Sequence, residues 1–348
     1  MSSRISRRAF ATAAVFVAAG AGSATLRAQP LRLEKNRIAL AVAGKASFSA
    51  LPLVIAEQLG YFRSEGLEVD LQDQPTGTGL MHDRLPAAVD VLSGPFEQVV
   101  QLQGRNQFFQ AFVLQGRAPQ VAVGISTRAL PAYRTVADLR GRRIGVAAPG
   151  TSSNMVARLV LARGGLTPRD VSFVGVSQMW DATSAFRTGQ IEAISHVDPV
   201  MTQLEQRGEL RIISDTRTLK GTQEVFGGPM PASCLYATQE FVQKHPGTCQ
   251  ALANAVVHAL KWLQTAGPSD LIKTVPEAFL LGDRALYLAA FTKVREAISP
   301  DGVIPVEGVR TAVRTVAAFD AAVRADRIDL ARTYTNDFAR RAKDRFHA

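Results

Sequence analysis

The residues best suited to chemistry in this chain are hydroxyls: Ser47, Ser49, Thr76, Thr78, Ser93, Thr151 and Ser152. Each lies in a short loop rich in Ser, Thr, Gly or Pro that follows an apolar run. The first N–H groups of a helix lack intrahelical partners and sit at the positive end of its dipole, so hydroxyls and amides there grip anions. For any single hydroxyl the simpler role is a helix N-cap. Both roles use the same N–H groups, and the argument rests on several such loops converging. Thr151-Ser152-Ser153 before an apolar helix is the strongest instance. Phe96 and Trp180 each suit either stacking on a ligand or filling a core. Arg117 either forks onto a carboxylate or sulfonate or is a surface arginine at a hinge. Asp198 either receives an amine or caps the helix that Pro199 begins.

Other chemistries lack their residues. The phosphate-cradling G-x-x-x-x-G-K-[ST], the zinc-protease H-E-x-x-H and the nucleophile-elbow G-x-S-x-G patterns are absent from the sequence. His82, His196, His245, His258 and His347 show no metal-ligand spacing among themselves. The expectation is therefore binding without catalysis, with no cofactor and no metal.

The elements that must position these loops alternate between strand and helix. Ile38–Ala43 is an apolar run closed by Gly44, and Leu51–Leu59 places Leu51, Val54, Ile55 and Leu59 on one helical face. Gly66-Leu67 then leads into a strand at Leu67–Leu71. Roughly a hundred residues later the order returns: strand Arg143–Ala147, helix Ser152–Arg163, Gly164-Gly165-Leu166, strand Val171–Val174. Val89–Ser93 precedes Pro95 with Gly104 nine residues on, and Ile191–Ser195 precedes Pro199 with Gly208 nine residues on. Strands Gln107–Leu114 and Leu210–Ser214 close the two copies. Strand–helix–strand units with short links imply parallel sheets covered by helices on both faces. Two similar α/β domains follow. After a strand-like return at Ala232–Thr238 the chain reads as helices, Ala251–Leu263, Arg284–Ala297 and Val309–Ala322, which are expected to pack back on the first domain.

Ligands in open α/β sheets lie beyond the carboxyl ends of strands. Two facing domains would pair Phe48–Ala50 with Ala148–Ser152, Thr76–Thr78 with Ser177–Met179, and Ser93–Phe96 with Ser195–Asp198. The chain of 348 residues, 47% hydrophobic, is long enough to bury a core in each.

The first residues read as an export signal. Ser6-Arg7-Arg8-Ala9-Phe10 precedes an apolar run from Ala11 to Ala21 and small residues, with a cleavage point after Ala28. Paired arginines resemble the twin-arginine signal, which routes folded proteins to the periplasm. The apolar run is shorter than the ~20 residues of a membrane-spanning helix. Losing Arg4, Arg7, Arg8 and Arg27 with this segment lowers the formal charge from +10 to +6, spread without a basic block. No nucleic-acid partner is expected from that distribution. Cys234 and Cys249 either form a disulfide, which an oxidising compartment permits, or are buried thiols.

Ser49–Val69, with Leu51-Pro52-Leu53-Val54-Ile55-Ala56-Glu57-Gln58-Leu59-Gly60-Tyr61-Phe62 at its centre, resembles the opening of the nitrate/sulfonate/taurine-type periplasmic binding proteins. Val136-Ala137-Asp138-Leu139-Arg140-Gly141, Thr188-Gly189-Gln190-Ile191-Glu192-Ala193 and Asp198-Pro199 resemble later motifs of the same family, and the chain is similar to its thiamine-precursor-binding relatives as well. The likeness runs over roughly residues 37–265. One departure is Pro75-Thr76-Gly77-Thr78-Gly79, where the family often carries a Gly/Ser run. The resemblance implies a two-lobed type II periplasmic-binding-protein fold with mostly parallel sheets and the ligand between the lobes. It implies 1–28 as signal, 29–117 with 227–348 as lobe 1, and 118–226 as lobe 2. It further implies delivery to a membrane permease of an ABC importer, while the hydroxyl-rich, acid-poor loops favour a small organic anion, sulfonate or carboxylate, as the ligand, and a monomer is expected. Enzymes of pyrimidine or menaquinone-precursor metabolism share similar folds, and a sensor that presents its ligand to a receptor is a third possibility.

Overall fold

In a computed structural model, which describes residues 33–74, 89–280 and 282–348, the predicted alternation takes the form of two five-stranded sheets. Strand β1 (Arg37–Ala43) buries Ile38, Leu40 and Val42 on one face and Ala41 on the other, so it is covered on both sides. Helix α1 (Leu51–Gln58) and the single turn α2 (Tyr61–Ser64) lead to β2 (Glu68–Gln74). Gly60 begins that turn at φ 73°, a conformation that favours glycine. Then come β3 (Val91–Pro95), α3 (Phe96–Gly104) and β4 (Phe109–Leu114).

The second sheet is built from one stretch of chain. It runs β5 (Val121–Ser126), β6 (Arg143–Val146), α4 (Ser152–Arg163), β7 (Ser172–Gly175) and α5 (Met179–Arg187). It continues with β8 (Ala193–Val197), α6 (Val200–Gln206), β9 (Leu210–Asp215) and α7 (Leu219–Phe226). Strand β10 (Ser233–Thr238) returns to the first sheet. Helices α8 (Gln239–Lys244), α9 (Pro246–Thr265), α10 (Pro268–Thr274), α11 (Arg284–Val294), α12 (Val306–Phe319), α13 (Leu330–Thr333) and α14 (Asp337–Phe346) follow.

The strand orders are β2-β1-β3-β10-β4 and β7-β6-β8-β5-β9, so the two halves of the repeat share one topology. The sheets are mixed, each with two parallel and two antiparallel pairings. Strand β10 runs antiparallel to β3, with Leu235 opposite Ser93, and β5 runs antiparallel to β8, with Val123 opposite Ser195. Val121–Ser126, where the chain enters the second sheet, is a buried interior strand between β8 and β9. The strands expected to close each copy, β4 and β9, are edges that reach their own sheets only through these crossing strands.

The C-terminal helices pack on the first sheet. Leu252, Val256 and Leu260 of α9, Phe291 of α11 and Phe338 of α14 share a core with Leu40, Leu53 and Phe112. A second core joins both sheets: Phe96, Val99 and Val316 pack in one cluster with Val121, Val123, Met155 and Val156. Full burial of a Leu or Phe side chain contributes ~1.5–3 kcal/mol each, so these continuous clusters are the main stabilising term. Cys234 and Cys249 are both free thiols, each buried. Among the described residues no helix is long and apolar enough to cross a membrane. The proposed signal, residues 1–28, and the loop carrying Thr76 and Thr78 lie outside the described residues.

Candidate functional site

Between the sheets lies a cavity of about 190 Å³ whose walls come from both sides of the molecule. The first sheet contributes Ser47, Ser49, Ser93 and the start of α3, and the second contributes Thr151, Ser152 and the end of β8. Two of the loop pairings expected from strand ends are thus brought face to face.

Local chemistry explains why these loops are open to a ligand. Thr151 precedes α4, yet its hydroxyl does not cap the helix: it donates to the Ala148 carbonyl at 2.6 Å and lies 3.0 Å from Ser153 Oγ. Ser153 Oγ accepts from Ala147 N at 3.0 Å, and Asn154 Oδ1 from Gly150 N at 3.2 Å, so both side chains brace the loop before the helix. The first amides of α4 are left without a side-chain cap. Ser47 and Ser49 face each other at 2.7 Å between their oxygens, and neither Ser47 nor Pro95 caps the turn that it precedes. Ser93 is buried and receives Gln115 Nε2 at 2.8 Å.

Ser152 reaches across the cavity and donates to Glu97 Oε1 at 2.5 Å. Glu97 was not singled out from sequence. As the second residue of α3 it complements the helix dipole, a common surface role, but here it is only 6% exposed. Burial pushes its carboxyl above the ordinary value, against the opposing pull of the Ser152 hydroxyl and its own backbone N–H. Gln98, Gln101, Gln120 and Ser233 also line the cavity and were likewise not anticipated. Gln120 stands in the first crossing segment at φ 62°, a left-handed conformation unusual for a residue other than glycine. Its backbone N–H is held by the Thr216 carbonyl at 3.2 Å. Such strain persists only where surrounding contacts impose it.

The remaining candidates separate clearly. Asp198 borders the cavity, but its carboxylate is used internally. Oδ1 accepts from Thr202 N at 2.8 Å, capping α6, and Oδ2 pairs with Arg217 Nη1 at 3.1 Å. Arg217 also binds Asp215 through Nη2 at 2.7 Å, and its side chain is 2% exposed. Of the two roles open to Asp198, the structure shows the cap. Phe96 is fully buried in the core and does not line the cavity. Arg117 donates through Nε to the Glu296 carbonyl at 2.8 Å and is absent from the cavity wall, which places it at the crossing as a tie to the C-terminal half. Trp180 is 78% exposed on α5, neither in the core nor on the cavity wall. His196, on the wall, sits between two carbonyls, Val176 O at 3.0 Å from Nε2 and Val197 O at 3.3 Å from Nδ1. Burial holds its imidazole below the ordinary value, although both carbonyls and Asp198 oppose the shift. Among the described residues, no lysine or arginine lines the cavity.

The two-lobed arrangement recurs in known structures. A solved structure from Bordetella bronchiseptica RB50 is 50% identical, with TM-score 0.85 over 91% of this chain and 100% of its own. The alkanesulfonate-binding protein SsuA from Xanthomonas axonopodis pv. citri, bound to MOPS, shares the fold at TM-score 0.66 and 19% identity, over 88% of this chain and 100% of its own. The periplasmic nitrate-binding protein NrtA from Synechocystis PCC 6803 does so at TM-score 0.64 and 15% identity, over 90% and 89% respectively. The fold is the two-lobed α/β architecture of periplasmic binding proteins. The chain spans 66%, 32% and 52% of the lengths of the first three curated relatives that it matches. Residues 47–266 match the family described as NMT1/THI5 like, a stretch that contains both sheets' crossing strands and, Ala43 apart, the residues that line the cavity. The chain is a member of the NMT1/THI5-like family.

Proposed function

We propose that this chain is the solute-capturing component of an ABC-type importer, exported to the periplasm, which holds a small organic anion between its lobes for delivery to a permease and does not transform it. The observation that carries this reading is the uncapped start of α4, opening on a cavity whose opposite wall supplies further hydroxyls. Free amides at the positive end of a twelve-residue helix are a ready anion site without any cation. The names of the fold relatives, which bind an alkanesulfonate or nitrate, support the ligand class. In this reading lobe 1 comprises 29–117 and 227–348, lobe 2 comprises 118–226, and the crossings at Gln115–Gln120 and between β9 and β10 act as the hinge.

A thermal-shift screen of small solutes tests it. A ligand at about a hundred times its dissociation constant, binding only the native state, adds ~2.7 kcal/mol of stability. Stabilisers are expected among sulfonates and carboxylates, recovered unchanged after incubation. Ser152→Trp abolishes the shift by filling the space before α4, whereas Ser152→Ala weakens it modestly because the backbone donors remain. Hits confined to cations or neutral sugars would overturn the anion class, and consumption of a hit would overturn the non-catalytic reading. Export is tested separately: Arg7→Lys with Arg8→Lys is expected to leave uncleaved precursor in the cytoplasm, and undiminished export excludes the twin-arginine route.

A further inference from the structure

The cavity wall holds a group that a simple oxyanion cannot answer. Glu97 is buried beside the space, and no salt bridge reaches it among the described residues. Asp198, the other carboxylate on the wall, has Arg217, whereas among the described residues the only side-chain donor to Glu97 is the Ser152 hydroxyl of the opposite lobe. Ser233, on the same wall and 6% exposed, has a hydroxyl oxygen without a hydrogen-bond partner among the described residues. An unpaired carboxylate is costly to bury, and its elevated proton affinity expresses that cost. The site is therefore polarised: helix amides and hydroxyls donate at the start of α4, and the Glu97 carboxyl offers an acceptor opposite, beside the Ser233 hydroxyl, which can donate or accept.

We infer that Glu97 is a specificity-determining residue, selecting those small organic anions that also carry a hydrogen-bond donor on nitrogen. The acceptor end of such a ligand lies at the start of α4, and its N–H group faces the Glu97 carboxyl. A solute with acceptors alone sets its oxygens against that carboxyl and is disfavoured. This inference rests on the reading of the cavity as a solute-binding cleft.

Matched probes separate the two ideas. Binding of propane-1-sulfonate against 3-aminopropane-1-sulfonate, butyrate against 4-aminobutyrate, and the uncharged pair methyl acetate against acetamide is measured by calorimetry. The measurement uses wild type, Glu97→Gln and Glu97→Asp. The wild type is expected to prefer the nitrogen-bearing member of each anionic pair. A hydrogen bond to a charged group sets the loss in Glu97→Gln at about 10- to 100-fold for that member, with its partner unchanged or tighter. Glu97→Asp, which keeps the carboxyl, restores part of the preference; a mere packing role would not produce that recovery. Melting curves confirm that each variant is folded. Equal binding of both members by the wild type, or an undiminished preference in Glu97→Gln, overturns the inference and leaves the anion class standing. A Glu97-dependent preference seen only in the uncharged pair supports the role of Glu97 and overturns the anion class.

Discussion

Replacing Arg217 by methionine removes the cation that, among the described residues, the fold buries most completely. The Arg217 side chain is 2% exposed and that of Asp198 is fully buried, while Asp215, its other close partner, is 30% exposed. Once the guanidinium is gone, Asp215 recovers water, but Asp198 keeps only the Thr202 amide. The penalty therefore concentrates on one carboxylate. Breaking a buried pair by removing one partner costs about 3–5 kcal/mol. The surviving amide bond and the methionine's apolar bulk place Arg217→Met near the lower end, ~3 kcal/mol, or on the order of a hundredfold in the folded-to-unfolded ratio. Equilibrium urea unfolding, followed by far-UV circular dichroism, reads this as a lower midpoint at unchanged slope. The double variant Arg217→Met/Asp198→Asn is expected to regain most of the loss, because it removes the stranded charge and keeps an oxygen for Thr202. A single-variant cost below about 1 kcal/mol would refute the reasoning, as would a double variant no more stable than the single.

Two further outcomes follow from local geometry. The His196 ring is buried with its pKa lowered from 6.5, so the unfolded chain binds a proton that the native ring resists. Its contribution is complete above about pH 6.5 and is lost as pH falls, at up to ~1.4 kcal/mol per pH unit. Denaturant titrations between pH 7 and 5 are expected to be flatter for His196→Gln than for the wild type, and an identical slope would exclude the ring as a source. A methyl group on Gly221, within α7, would stand 1.7 Å from the Asp215 carbonyl oxygen, a backbone atom that cannot move aside cheaply. Gly221→Ala is expected to lower the melting temperature even though alanine favours helices, and an unchanged or higher value contradicts the packing.

Much of the fold was legible because its signals are local. Apolar spacing at Leu51–Leu59 and Ser152–Arg163 predicted helices that the structure shows at Leu51–Gln58 and Ser152–Arg163. The proline and glycine punctuation of the repeat fell where α3 and α6 begin and end. Sheet membership was not legible, because Val121–Ser126 and Ser233–Thr238 are ordinary buried runs whose partners are set by distant chain. The site divides along the same line. The placement of Ser47, Ser49, Ser93, Thr151 and Ser152 on the cavity wall was legible because it follows from their position at strand ends. Glu97 was missed because its burial depends on Ser152, 55 residues away, and at the start of a helix a glutamate resembles a solvated dipole partner. The neutralisation of Asp198 depends on an arginine 19 residues on, beyond the end of β9. An arginine just after an acidic strand end is the one signal that could have pointed to it.

The placement of β10 between β3 and β4 has a consequence for the order in which the chain matures on the ribosome. When Leu114 has been made, β3 and β4 have no ladder between them, because the strand that joins them ends at Thr238. The second sheet is different: all five of its strands lie between Val121 and Asp215, and its entry and exit strands pair directly, with Ala122 opposite Asp215. Synthesis from the N-terminus thus completes the inserted half first, while the half that began the chain waits with open strand edges. The nascent protein closes from the inside outward, and β4 is left without its strand partner until β10 has been made.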